Sequence, residues 1–422
     1  MLRLLIRFRK RLCEVDMQRA RRLVLGNRNF AYLYFGGLIS TSGSTITSLI
    51  LVWLVYKETA SAIAITYLGI ASILPTITLG LLAGVVVDRF DRRILMITSD
   101  LVRAAAVAAV PIVMLSFGFS FPLMLVVVAI VGLFSTFFRP ATNSLLPKLV
   151  SSDSVQDSNG LISASNSVIQ MISNAVGGLL IGLAGVLFGL FYNTISYAVS
   201  AAMIFLIVVP QHLTNGLTDS GSFVSDFKYG LRYILRNRAV LETTLSATFL
   251  NFFGTMVSAF FVVYVTSHLN QSGVFFGFLV ASLGLGVAVG SLAVGWLNTV
   301  SYAGKLFLLT TAGFGVTTIM LAFIGSAQLA VLIVVLMGVC LGLLNTTFYS
   351  VMQLVVPNEI LGRVLSVDEV GSYAAVPMGQ IVAGLLISMS GIVFNYLVAG
   401  VGVLLTVSVM LFLKDLRNFR YA

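Results

Sequence analysis

The sequence predicts an all-α membrane protein whose twelve transmembrane helices form two pseudo-symmetric six-helix bundles. Hydrophobic residues make up 58% of the chain and charged residues only 9%, whereas soluble domains carry about 25% charged residues. The hydrophobic residues occur in long continuous runs, not in the alternation typical of transmembrane barrel strands, and helices satisfy their own backbone hydrogen bonds in lipid. One long polar segment, residues 211–238, divides the runs into two equal sets.

Each predicted span is an apolar run of about 20 residues, the length that crosses the hydrocarbon core as a helix. The fifth and sixth runs are separated by few polar residues, so Gly182, Gly185 and Gly189 mark the expected turn between them. The runs cover residues 30–55, 62–87, 94–116, 121–145, 158–184, 189–209, 240–266, 273–297, 305–325, 327–350, 363–388 and 392–413.

Basic residues between the runs predict the orientation of the chain. The connections on the other side of the predicted membrane hold only Lys57. Because positively charged loops stay in the cytoplasm, we expect a multi-pass protein of the cell membrane with both termini cytoplasmic. The basic connections hold Arg89, Arg92, Arg93, Arg139, Lys148, Lys228, Arg232, Arg236, Arg238, Lys305 and Arg363.

The same pattern divides the chain into five segments. Residues 1–28 hold nine of the 25 Lys and Arg residues and are expected to form a basic amphipathic helix on the membrane surface. The two bundles cover 29–210 and 239–414, with a cytoplasmic central loop at 211–238 and a cytoplasmic tail at 415–422. The net charge of +10 therefore indicates contact with anionic lipid headgroups, and nucleic acid is not an expected partner.

The two halves repeat weakly at a constant offset of 206 residues. The offset pairs Gly80 with Gly286, Gly84 with Gly290, and Gly178 with Gly384. Single glycine coincidences are common in membrane helices, but several at one offset indicate an internal repeat, as many transporters have.

The connection after the second span carries the most specific motif. It reads Gly84-Val-Val-Val-Asp88-Arg89-Phe90-Asp91-Arg92-Arg93. Gly84 would allow two helices to approach closely, and Asp88 is placed to face the positive end of a neighbouring helix. The alternative interpretation is an ordinary positively charged cytoplasmic loop.

This motif resembles the loop 2–3 signature of the major facilitator superfamily, Gly-x-x-x-Asp-Arg-x-Gly-Arg-(Arg/Lys). Asp91 stands where that signature usually has glycine. Further matches resemble the macrolide-efflux and enterobactin-exporter branch, the drug:proton antiporters of type 3. They are Arg139-Pro140-Ala141, Leu146-Pro147-x-Leu149-Val150, Asn237-Arg238 and Pro357-Asn-Glu359-x-x-Gly362-Arg363-Val364.

The resemblance implies a secondary transporter that exports lipophilic or amphipathic small molecules by alternating access. Asp88 would then cap the helix of the eleventh predicted span (363–388), near Gly362, while the cytoplasmic side is closed. The other residues of this gating region would be Gly84, Arg89, Arg92, Arg93 and Arg363. One departure matters: antiporters of the superfamily often carry Gly-Pro-x-x-Gly-Gly in helix 5, and residues 173–178 keep only the paired glycines. This departure weakens the expectation of proton antiport.

A few charged residues lie within the predicted spans, where charges are costly and often functional. Asp100 and Arg103 are three residues apart on one helix and can pair. They are candidates for a proton or charge relay, or a neutralised structural pair. Asp368 and Glu369 are alternative proton carriers, unless they lie in a wet cytoplasmic vestibule.

The predicted substrate cavity is uncharged and rich in hydroxyl and amide groups. The resemblance assigns helices 1, 4, 7 and 10 to the cavity, although hydroxyl groups in helices also bond to their own backbone. The candidate residues are Ser40, Thr41, Ser44, Thr45, Asn166, Gln170, Asn251, Phe252, Thr255 and Asn345.

Enzymatic motifs are absent from the sequence. It has two His and two Cys residues, too few for a typical metal set, and lacks a Gly-x-x-x-x-Gly-Lys-Ser/Thr phosphate loop. We expect no cofactor, no metal and no catalysis. The expected partners are a small-molecule substrate, membrane lipids and protons, with the chain acting as a monomer. Two alternatives stay open: a lysophospholipid flippase of the same fold, and a transport-inactive receptor or scaffold.

Overall fold

A computed structural model describes residues 23–208, 223–294 and 303–412, and these residues are almost entirely helical. The predicted tail at 415–422 and most of the predicted surface helix at 1–28 lie outside the described residues. The long helices are α1 Arg28–Thr59, α2 Ala62–Arg89, α3 Arg92–Phe117, α4 Phe121–Leu149, α5 Val155–Leu183, α6 Val186–Phe205, α7 Phe223–Arg236, α8 Arg238–Ser258, α9 Gly273–Val294, α10 Ala303–Phe323, α11 Ala327–Val355 and α12 Asn358–Phe412. The span that begins with α8 continues through a short helix, Phe261–Val263, and a π-helical turn, Tyr264–His268.

Eleven helices of the described part are long and apolar enough to cross a membrane, and the last of them contains two spans. Helix α12 has 55 residues, which would extend about 80 Å at 1.5 Å per residue, against a hydrocarbon core of about 30 Å. Gly391 interrupts it with φ 83° and ψ 172°, a conformation that glycine adopts readily. The break lies between the predicted spans at 363–388 and 392–413.

Helix α7 differs from the sequence-based expectation, which treats residues 211–238 as a loop. Gly230 and Ile234 are buried, and the backbone at Gly230 approaches the carbonyl of Arg363 in α12. One apolar side of the segment therefore packs on the bundle, while Lys228 and Arg232 remain exposed. Few apolar residues are needed for this packing, which is why hydropathy alone does not reveal the helix.

The six spans of each half pack in the same pairwise arrangement. In the first half, α1 packs on α5 and α6, α2 on α4, and α3 on both α4 and α6. In the second half, α8 packs on α12, α9 on α11, and α10 on both α11 and α12. Large apolar side chains cover the outside, such as Phe117 at 87% and Leu183 at 82% exposure, as expected for helices that contact lipid.

The two ends of the bundle differ in charge. The basic end, where α1 begins and α2 ends, carries the described arginines and lysines of the connections. At the opposite end, Lys57 is the one Lys or Arg within the described ranges. The described chain begins and ends at the basic end.

Two helix pairs join the halves toward the opposite end. Helix α5 packs on α9, where the backbones of Gly178 and Gly277 are in direct contact. Helix α2 packs on α12, where the Thr66 hydroxyl donates to the carbonyl of Gln380 at 3.1 Å, and Gly384 lies against Thr66. Gly178 and Gly384 are related by the 206-residue offset, so matched glycines occupy the two cross-half contacts.

Candidate functional site

A cavity of about 820 Å³ lies in the basic half of the bundle. We call it the vestibule. Residues of α1, α3, α4 and α5 line it, so that its described walls come from the first half of the chain. The lining includes six of the predicted cavity residues, namely Ser40, Thr41, Ser44, Thr45, Asn166 and Gln170.

The hydroxyl groups of α1 are partly engaged by their own helix. Ser44 donates to the carbonyl of Ser40 at 2.7 Å, and Thr45 donates to that of Thr41 at 2.8 Å. Ser44 also hydrogen bonds to the Tyr197 hydroxyl at 2.9 Å. The wall therefore offers substrate mainly the acceptor capacity of these hydroxyls, since their protons are committed.

The four cavity candidates of the second half lie elsewhere. Asn251 and Asn345 are exposed, and the Asn251 side chain donates to the carbonyl of Ala247 at 3.0 Å. Phe252 and Thr255 are partly buried. None of the four belongs to the described lining of the vestibule.

The Arg103 side chain lines the vestibule and contacts charged, polar and aromatic side chains. Its guanidinium forms an ion pair with Asp100 and donates to Ser135 at 3.3 Å. The guanidinium carbon lies 4.6 Å from the ring centres of both Phe138 and Tyr197. The exposure is 0% for Asp100 and 4% for Arg103, so this is a buried, paired charge that a low-dielectric interior stabilises only while both partners remain.

The basic end is bridged by an ion pair between the halves. Arg139 of α4 donates to Glu369 of α12 at 2.8 Å, and the side chains are 70% and 46% exposed. Arg139 also lines the vestibule. Glu369 is one of the candidate proton carriers that the sequence predicts. No sequence pattern predicts the bridge, because the two residues are separated by 230 positions.

Asp368, the neighbour of Glu369, has a different environment. The residue is 8% exposed, and its Oδ1 has no hydrogen-bond partner among the described residues. Thr244 of α8 lies beside it. The two adjacent carboxylates therefore differ in environment. Asp368 is buried within the second half, whereas Glu369 forms an ion pair with Arg139 of the first half.

Asp91, the residue at which the loop 2–3 motif departs from the signature it resembles, caps a helix. Asp91 accepts hydrogen bonds from the backbone amides of Arg93 and Ile94 at 2.8 and 3.1 Å, which makes it the N-cap of α3. Arg93 donates to the carbonyls of Ile204 and Phe205 at the end of α6. Arg89 is exposed and Arg92 partly buried. Gly84 and Asp88 belong to α2, and the Asp88 side chain lies outside what the structure describes.

Gly362 and Arg363 lie one turn inside α12, which begins at Asn358. The carbonyl of Gly362 accepts from Ser366 at 2.8 Å. The Arg363 guanidinium lies 5.6 Å from the ring centre of Tyr229 in α7. The start of the helix that Asp88 is expected to cap therefore lies four residues before Gly362.

The arrangement is suited to holding a molecule of drug size. Ligand cavities are typically about 300–1,000 Å³, and the vestibule offers many neutral hydrogen-bonding groups. The vestibule is not uncharged as the sequence predicts, because Arg103 and Arg139 also line it. Within the described ranges, no group of three or more His, Cys, Asp or Glu side chains could hold a metal ion.

Sequence comparison gives a family match over almost the whole chain. A family profile described as transmembrane secretion effector matches residues 24–420. The multidrug efflux pump Tap of Mycolicibacterium fortuitum is 26% identical over 405 residues, covering 92% of this chain and 97% of that protein. Macrolide efflux protein A of Streptococcus pyogenes is 22% identical over 398 residues, covering 92% and 96%.

Solved structures share the fold at low sequence identity. The nucleoside transporter NupG matches with a TM-score of 0.75 and 12% identity, covering 93% of this chain and 100% of that one. A bacterial homologue of the iron transporter ferroportin, in an inward-facing state, matches with a TM-score of 0.70 and 14% identity, covering 92% and 98%.

Proposed function

The chain belongs to the transmembrane secretion effector family of major facilitator transporters, and from this premise we propose that it exports amphipathic small molecules through the vestibule. Its relatives are named for multidrug and macrolide efflux. The mechanism is alternating access, in which the two halves rock about a site between them.

The observation that carries the proposal is a drug-sized cavity beside a bundle whose halves are packed together at the opposite end. The vestibule extends toward the basic end, whereas α5·α9 and α2·α12 join the halves away from it. A pathway that is accessible from one end and closed at the other is the basic unit of alternating access.

The proposed orientation places the basic end in the cytoplasm of a cell membrane, with both termini there and the chain working as a monomer among lipids. The supporting observation is the charge difference between the two ends, which follows the positive-inside rule. Substrate would then enter from the cytoplasm and leave at the opposite face.

The direct test is transport into proteoliposomes, with a panel of radiolabelled neutral, cationic and anionic compounds and with or without an imposed pH gradient. We expect saturable movement of at least one amphipathic compound. A lysophospholipid in the same panel distinguishes export of drugs from lipid flipping. Absence of transport of every compound by well-folded protein would contradict the proposed function.

We expect Asp88→Asn to preserve the fold and to slow transport about two- to tenfold. A carboxylate near a helix amino end contributes about 0.3–1 kcal/mol when exposed and up to about 2 kcal/mol when partly buried, and its loss would weaken the closed cytoplasmic side. Initial transport rates in proteoliposomes measure the effect. Glu58→Gln, an exposed carboxylate at the opposite end, is the matched control, and normal transport by Asp88→Asn would refute the gating role.

For proton coupling we propose Asp368 over Asp100. Asp100 is paired with Arg103, whereas no ion pair involves Asp368 within the described part of the chain and its Oδ1 lacks a partner. A buried carboxylate without a cation can exchange a proton during the cycle at lower cost than one held in an ion pair.

Asp368→Asn should therefore abolish the stimulation of transport by a pH gradient while substrate binding stays within about twofold of wild type. The two quantities are measured on one preparation, transport in proteoliposomes and binding by equilibrium dialysis. If Asp368→Asn still responds to the gradient as wild type does, Asp368 is not the coupling residue.

A further inference from the structure

The charged residues in the described lining of the vestibule are both arginines. Arg103 of α3 and Arg139 of α4 line it, and no Asp or Glu belongs to that described lining. The carboxylates that pair with them lie elsewhere, because Asp100 is fully buried and Glu369 belongs to α12 of the other half. The described wall of the cavity therefore presents positive charge to a bound molecule.

The two arginines differ in how readily they could bind another anion. Arg103 is 4% exposed and lies in a buried ion pair with Asp100, which is costly to break. The Arg139 side chain is 70% exposed and that of Glu369 is 46% exposed. Exposed ion pairs are weak because water and salt screen both charges, so another carboxylate could replace Glu369 beside Arg139 at small cost.

The Arg139–Glu369 bridge lies well inside the pathway between the halves. Arg139 is about 15 Å along α4 from its basic end, and Glu369 is about as far along α12, at 1.5 Å per residue. The bridge joins a residue of the vestibule wall to the second half of the chain. It therefore spans the gap between the vestibule and the second half.

The surroundings of Arg139 suit the rest of an amphipathic anion. Asn143 lies one turn after Arg139 on the same face of α4, and Asn159 of α5 also lines the cavity, with both amides exposed. Side-chain amides can donate hydrogen bonds to a carboxylate. Leu38 and Ile162 line the same cavity and offer apolar surface to the body of such a molecule.

We propose that the vestibule selects amphipathic molecules that carry a carboxylate, which binds Arg139 in place of Glu369. A guanidinium binds one carboxylate through two parallel hydrogen bonds, so the substrate and Glu369 compete for the same donors. Filling the cavity would then break a bridge between the halves. This proposal rests on the proposed export function and names its substrate class, but the binding can be measured without transport.

The test measures how three radiolabelled probes with the same aromatic body bind to purified full-length protein. 1-Naphthaleneacetate is an anion, 1-naphthaleneacetamide is its neutral analogue, and 2-(1-naphthyl)ethylammonium is a cation. Scintillation proximity binding at neutral pH should show that the anion binds about fivefold more tightly than the amide, and the cation more weakly than either. Added salt should reduce the preference for the anion, because it screens exposed charges.

Substitution of the two bridge residues should change anion binding in opposite directions. Arg139→Gln removes the guanidinium and should weaken anion binding about fivefold, while amide binding stays within about twofold. Glu369→Gln removes the competing carboxylate and should tighten anion binding about two- to fivefold, the range expected for an exposed ion pair. A bridge that only holds the halves together would be broken by both substitutions, which would then act alike on both probes.

Matched controls remove the same charges at exposed positions outside the described lining. Arg232→Gln and Glu58→Gln should leave the binding of every probe within about twofold. Arg139→Lys keeps a cation but loses the planar fork of the guanidinium, so its preference for the anion should lie between those of wild type and Arg139→Gln. Size-exclusion chromatography and thermal melting verify that each variant is folded.

The outcomes distinguish the carboxylate site from the export function. A preference for the anion that is lost in Arg139→Gln and increased in Glu369→Gln supports the site even if no compound is transported, in which case the export proposal alone fails. Transport restricted to cations would support export and overturn the carboxylate site. The site is also overturned if wild type binds the amide as tightly as the anion, or if Glu369→Gln does not tighten anion binding.

Discussion

Arg103→Gln is expected to destabilise the folded protein by about 3–5 kcal/mol, because it leaves the Asp100 carboxylate buried without its cation. Asp100 is fully buried, and Arg103 fills the space between the rings of Phe138 and Tyr197. The substitution thus removes an ion pair and two cation–π contacts at once.

Unfolding by a graded denaturing detergent and thermal melting in mild detergent both measure this loss. The double variant Asp100→Asn with Arg103→Gln should recover most of it, since it replaces the unpaired charge with two neutral amides. Arg232→Gln, at an exposed position on α7, is the matched control and should change stability by less than about 0.5 kcal/mol. Equal stability of the single and double variants would show that the pair has no coupling energy.

The sequence predicts the membrane architecture well because lipid imposes a length and an apolar composition on every span. The predicted runs at 62–87 and 121–145 correspond to α2 Ala62–Arg89 and α4 Phe121–Leu149. The predicted boundary between the last two runs coincides with Gly391. Helix α7 is missed because it lies along the bundle surface, where hydropathy gives no 20-residue signal.

The candidate site is predicted only in part. The hydroxyl-rich stretch of α1 and the amides of α5 line the vestibule, and their spacing on single helices makes them visible in the sequence. The Arg139–Glu369 bridge joins residues 230 positions apart, and no local pattern reveals such a contact.

We expect Gly178→Val to reduce the transport rate at least tenfold, because transport requires the close contact of Gly178 with Gly277. A Cβ atom at Gly178 would collide with the backbone of Gly277. A backbone collision cannot be relieved by a rotamer change, so α5 and α9 would have to separate. The halves could then no longer close at the opposite end, and small residues at such contacts are what allow membrane helices to approach closely.

The matched control lies on the same helix. Gly160→Val adds the same side chain to α5 at an exposed glycine, where a Cβ atom would have no neighbour within 4 Å, and it should leave the transport rate within about threefold. A single cysteine in place of Ser48, which lines a cavity of about 460 Å³ among the helices of the first half, reports opening when Cys13 and Cys340 are replaced by serine. A membrane-impermeant maleimide added at the opposite face should label this cysteine faster in the Gly178→Val background than in the unsubstituted and Gly160→Val backgrounds, where that end is open for only part of the transport cycle. An unchanged labelling rate together with unchanged transport in Gly178→Val would mean that the halves do not close through this contact.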